Sequence, residues 1–127
     1  MNVKTNILKS WATILKAEGY NRAFAYETQK PKNDTYLECE VTDRAQISKT
    51  TGGAVYELTL VWRYFTNSDH KLNDEMDKLY NILSKYDHYT PSATLFFNHT
   101  VSGVEVGDAE SGYKFAITTT LTLEEVA

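Results

Sequence analysis

The chain has 127 residues, a length that fits one domain able to bury a core without disulfides or metal. A formal charge of −4 excludes capture of nucleic acid by an overall basic surface, and Cys39, the only cysteine, excludes an intramolecular disulfide and points to a reducing compartment. No stretch approaches the ~20 apolar residues of a membrane span, and the N-terminus carries no apolar run with a small-residue cleavage site, so the expectation is a protein made and used in solution.

Residues 3–18 read as a helix with an apolar stripe of Val3, Ile7, Trp11, Ile14 and Leu15; Lys4, Lys9 and Lys16 face away. Gly19 is its natural stop, able to take the left-handed conformation after the last turn. Residues 23–28 form a short strand and 29–34 a polar turn, which Pro31 keeps out of a ladder. Residues 35–42 alternate, with Leu37, Cys39 and Val41 on one face and Tyr36, Glu38 and Glu40 on the other, the pattern of a half-exposed strand in which Cys39 is a small buried hydrophobe. The alternation then fails. Residues 43–53, with Arg44, Ser48, Lys49, Thr50, Thr51, Gly52 and Gly53, read as a long polar connection, of a length that is usually functional or mobile.

The most strongly patterned stretch is 54–86. Tyr56, Leu58, Leu60, Trp62 and Tyr64 fall at every second position and give a strand one large aromatic face, while Val55, Glu57, Thr59, Val61 and Arg63 lie on the other. Asn67, Ser68 and Asp69 offer helix caps. Leu72, Met76, Leu79, Leu83 and Tyr86 then follow at helical spacing, a stripe expected to cover Leu60 and Trp62. After a turn at 87–91, residues 93–101 form a strand with His99 on its inward parity. Residues 102–112 hold three glycines and three acids and read as an exposed loop. Residues 113–123 close the fold, with Tyr113, Phe115, Ile117, Leu121 and Leu123 alternating with Lys114, Ala116, Thr118, Thr120 and Thr122. The expectation is an α+β fold: a single domain, residues 1–127, with a mainly antiparallel five-stranded sheet and two helices packed on one face, in the order α-β-β-β-α-β-β.

No catalytic signature emerges. The three histidines, His70, His88 and His99, sit in no motif, there is no glycine-flanked serine elbow, and Gly52-Gly53 lacks the residues of a phosphate cradle. The expectation is a non-enzyme without cofactor or metal. Charge asymmetry is more informative. From Asp87 onward, six acids (Asp87, Glu105, Asp108, Glu110, Glu124 and Glu125) stand against Lys114 alone, which suggests a negative surface.

The N-terminal helix and the strand segment after it, the polar connection leading into 55–65, the acid-and-lysine helix of 69–86 and the two closing strands together resemble the tail terminator (tail completion, minor tail) proteins of long-tailed bacteriophages. That resemblance implies a structural virion protein: a homo-oligomer, a hexameric ring, that caps the tail tube, halts its polymerisation and joins the tail to the head connector or stopper protein. It implies residence in the tail or neck of the virion, with assembly in the host cytoplasm and no membrane. In such a ring the 43–53 connection would be an assembly loop. Glu105, Asp108 and Glu110 would line the lumen or its mouth, so that DNA passes without specific binding. Two other readings fit the same residues: another neck component, such as a head-completion or stopper protein, and a cellular ligand-binding α+β domain with a pocket near Trp11, Trp62 and Met76.

Overall fold

The computed structural model describes residues 3–20, 23–25, 35–50, 53–67, 71–87, 94–107, 110 and 112–126. Its elements are α1 (Val3–Ala17), β1 (Ala23–Ala25), β2 (Tyr36–Thr50), β3 (Gly53–Phe65), α2 (Leu72–Lys85), β4 (Thr94–Val106) and β5 (Phe115–Val126). The five strands form one sheet in the order β1-β2-β3-β5-β4. Every pairing is antiparallel except that of β1 with β2, which is parallel. The architecture is the expected α+β sandwich, with β3 and β5 in the middle.

The period-two pattern of β3 becomes burial on one side only. Leu58, Leu60, Trp62 and Tyr64 are buried, as are Phe115, Ile117, Leu121 and Leu123 of β5 and Leu37 and Cys39 of β2. The indole N–H of Trp62 donates to Thr119 Oγ1 at 3.1 Å. This satisfies one polar hydrogen and places a fully buried threonine among the apolar side chains. Tyr64 and Phe115 stack at 4.8 Å.

Both helices sit on that face. Helix α1 buries Ile7, Leu8, Trp11, Ile14 and Leu15. It ends as its sequence suggests: Gly19 is left-handed at φ 76, Gly19 N–H bonds Lys16 O at 3.1 Å and Tyr20 N–H bonds Leu15 O at 2.9 Å, a Schellman motif that satisfies the last carbonyls. Helix α2 buries Leu79, Ile82 and Leu83, with Leu72, Met76 and Tyr86 packed at the margin of the same cluster. The ring directly against Trp62 nevertheless belongs to α1, not α2: Trp11 meets it edge-on at 5.2 Å. A Lys85–Glu18 ion pair at 2.7 Å ties the C-terminal ends of the two helices together.

Four local expectations are corrected. First, Asp43, Arg44, Ser48, Lys49 and Thr50 are strand, not loop, paired to β3 as far as Thr50 opposite Gly53. Register shifts between Val41 and Asp43 and between Gln46 and Ser48 flip the side-chain parity, so a paired strand loses the alternation by which strands are recognised. Second, β4 runs to Val106 and absorbs half of the expected 102–112 loop; it too carries shifts, at Phe97/Thr100 and Val101/Gly103. Third, Tyr113 lies before β5. Gly112 turns the chain at φ 82 and Lys114 N–H bonds Tyr64 O at 2.8 Å, so Tyr113 packs on Phe65 on the opposite face at 6.5 Å. Fourth, the N-cap of α2 is Lys71, left-handed at φ 57 and without a side-chain cap; Asp74 and Glu75 in the first turn complement the helix dipole instead. Asn67 lies ahead of that start, whereas Ser68 and Asp69, like residues 26–34, are outside the described residues.

Leu60→Ala should lower unfolding free energy by roughly 2–5 kcal/mol, because the cavity opens in the packed centre of the sheet. Glu57→Gln, on the exposed face, should change it by about 0.5 kcal/mol or less. Urea midpoints for the two variants and the parent check both values.

Candidate functional site

Among the described residues no three His, Cys, Asp or Glu side chains come together in a group that could hold a metal ion. Among the described residues His99 is a buried histidine, and it is bound into the framework. Its Nδ1 lies 3.0 Å from Tyr86 O; since a carbonyl only accepts, Nδ1 carries the proton. Its backbone N–H bonds Asp87 O at 3.0 Å, and its ring lies 4.7 Å from Trp11. Burial holds its pKa below the ordinary histidine value, against smaller upward pulls from the Tyr86 and Leu83 carbonyls and the Asp87 charge. His99 caps the end of α2. It joins structure to structure.

The surface offers more. With α1 and α2 on the inner face, the outer face keeps its own rows, set by register. One row is Glu40, Val61, Thr118 and Gly103; the next runs Asp43, Thr59, Thr120 and Thr100. Thr59, Val61, Thr118, Thr120 and Thr122 are all half-buried, and the Thr100 and Thr120 hydroxyls lie 3.3 Å apart. At one end of this face Arg63 binds Glu38 at 3.1 Å and approaches Glu40 at 3.7 Å. Tyr36 stacks on Phe65 at 4.7 Å in the same region. Short polar and β-branched side chains on a flat face can pack against another protein at low side-chain entropy cost.

The sheet also ends in two long edges. Among the described residues β4 pairs only with β5, and β2 beyond Glu38 pairs only with β3. Each edge carries two register shifts, which bend an open edge away from indiscriminate pairing. Apolar side chains are nonetheless exposed on both: Ile47 at 58% on β2, and Val104 at 44% and Val106 at 81% on β4. They lie at opposite ends of the sheet. These three were missed in the sequence because they fall in segments whose polar neighbours read as loop. Tyr80, 42% exposed, is the large apolar residue that α2 turns outward.

The expected site residues divide between those same two ends. Arg44, Ser48, Lys49 and Thr50 belong to the distal half of the β2–β3 hairpin, and Gly53 opens β3; Thr51 and Gly52 are outside the described residues. Glu105 is at the far end of β4, exposed, and accepts a hydrogen bond from the Tyr113 hydroxyl. Glu110 is exposed in the β4–β5 connection, and Asp108 lies outside the described residues. The hairpin tip at Gly53 and the row of Glu105, which crosses β3 at Arg63, lie ten positions apart, a span of roughly 33 Å at strand rise. The hairpin and the acidic connection are therefore opposite poles of the subunit.

No protein-family model matches the chain, and no curated protein matches it. Among solved structures, its fold is similar to that of a chain in the virion of a native gene transfer agent (GTA) particle, with a TM-score of 0.54 and 16% identity over 91% of this chain and 86% of that one. At that identity the likeness is one of fold, and it takes in nearly the whole of both chains.

The acidic pole depends on one glycine. Gly107 N–H bonds Lys114 O at 3.0 Å, and a Cβ at Gly107 would fall 1.9 Å from the Tyr113 carbonyl oxygen. Gly107→Ala should therefore displace the β4–β5 connection and cost roughly 1–3 kcal/mol, in the range of overpacking. Gly103→Ala, whose Cβ would meet nothing within 4 Å, is the control, and thermal unfolding of the pair measures the difference.

Proposed function

We propose that this chain is a structural protein of a phage-like virion, without enzymatic activity, and that within the virion it is a tail terminator. The observation that carries the reading is the fold shared with a gene transfer agent virion chain across 91% of the present chain. The architecture supports it. A subunit that repeats around a ring needs two different lateral surfaces and two different ends, and the β2 and β4 edges and the two poles of the sheet provide both. In this proposal the ring is hexameric, caps the tail tube, stops its growth and meets the head connector or stopper protein on its other side.

The β2–β3 hairpin acts as a stiff arm toward a neighbouring subunit or the tube. A ladder with β3 on one side and open backbone on the other suits that task better than a loose loop, because less chain entropy is lost on docking. Glu105, Asp108 and Glu110 stand near the lumen, where acids repeated around the ring repel passing phosphates over a Debye length of about 8–10 Å.

Two variants test the parts. Removing the last three hairpin pairs (Ser48 with Val55, Lys49 with Ala54 and Thr50 with Gly53) should leave a folded subunit that no longer forms rings in negative-stain images or completes tails. Normal rings and normally joined tails would remove the arm from assembly. Replacing Glu105, Asp108 and Glu110 together with lysine should give rings that retain DNA at low salt and release it as salt rises. Wild-type ejection from virions carrying the triple substitution would show that the acids do not face the DNA path.

A further inference from the structure

We infer that the Asn98–His99 bulge of β4 is a proton-operated latch, which holds the C-terminal turn of α2 against the sheet at neutral pH and releases it in mild acid. This inference is independent of the virion reading. It rests on three observations that meet at one place. The β4–β5 register shifts between Phe97, opposite Thr122, and Thr100, opposite Thr120. Within that shift Asn98 is left-handed at φ 54, a conformation asparagine tolerates better than most residues. The resulting turn carries His99 inward to 4% exposure.

Once inside, His99 makes the connections that hold the end of α2. Its ring N–H reaches Tyr86 O at 3.0 Å and its backbone N–H reaches Asp87 O at 3.0 Å. These carbonyls lie just past the last helical residue, where the helix cannot satisfy them itself. Tyr86 has already left helical geometry at φ −101, ψ 82. The ladder on either side of the bulge is complete without His99, so the latch can open while Phe97 and Thr100 keep their partners on β5. Local release breaks a few contacts, whereas global unfolding breaks the sheet.

The charged surroundings set the sign. From α2, Asp87 favours a protonated imidazole; Lys85 is held by Glu18 of α1 and lies 6.0 Å from the Tyr86 ring. From α1 the facing group is Trp11, and from β3 and β5 the buried neighbours in the same core, Trp62 and Thr119, are uncharged. Burial dominates and holds the closed imidazole below its ordinary value of 6.5. A released imidazole returns to that value and binds the proton more tightly than the closed one. The latch is therefore fully stabilised above pH 6.5 and loosens as pH falls toward the closed-form pKa, below which it changes no further.

Amide hydrogen exchange between pH 7.5 and 5, corrected for intrinsic rates, tests this on the intact protein. The opening constant for the amides of residues 84–87 and 99 should rise by up to about tenfold per pH unit below 6.5, the slope of one proton. Amides of Leu60, Trp62, Ile117 and Leu121 should not follow. His99→Gln should flatten the dependence, and Asn98→Gly, which keeps the imidazole, should retain it. Opening in step with the β3 and β5 amides, or protection unchanged down to pH 5, would overturn the latch; the wild-type comparison decides this even if the His99 variant does not fold.

Discussion

Trp11 is the point at which the layers of this protein meet. Its ring lies edge-on to Trp62 of β3 at 5.2 Å, edge-on to Tyr86 beyond α2 at 6.4 Å, and tilted on His99 of β4 at 4.7 Å. Aromatic contacts of this geometry contribute about 0.5–1.5 kcal/mol each beyond the area they bury. Their placement matters more than their sum. One side chain of α1 fixes the distance of both helices from the sheet, and the Trp62–Thr119 hydrogen bond carries that constraint from β3 to β5. The Lys85–Glu18 pair, on the surface, adds little to stability by comparison.

That arrangement commits one face of the sheet to the core and leaves the other to solvent or a partner. The exposed side is not a random polar surface. It holds threonines in register, valines and an aromatic pair at one end, flanked by edges that carry Ile47, Val104 and Val106. The distinctive features of this face run along rows of the sheet and collect at its ends. Such a face supports the proposed reading of a subunit that packs against other virion proteins.

Much of the fold was legible because the strongest periodicities lie where packing is densest. The alternation from Tyr56 to Tyr64 and the helical stripe from Leu72 to Tyr86 both became core. Gly19 stopped α1 in the way its backbone freedom suggests. Legibility failed at the bulges. A one-residue shift reverses parity, so the distal halves of β2 and β4 looked like loops although their ladders resume beyond each bulge. Thr119 was also missed: a threonine on an inward parity reads as an exception until its partner, the Trp62 indole, is seen across the strand. The candidate site was legible only as two polar segments. Their separation along β3, and the pairing of the hairpin, are properties of register rather than of composition.

The proposed tail-terminator role meets its most direct test at the tail tube itself. The tube protein of the same virion would be allowed to polymerise with and without this chain, and tube lengths and ends recorded by electron microscopy. The account predicts tubes that stop growing once one end carries a ring of this protein, with the arrest lost when the subunit is omitted. Tubes that grow to the same lengths with bare ends in its presence, while the protein stays monomeric, would contradict it.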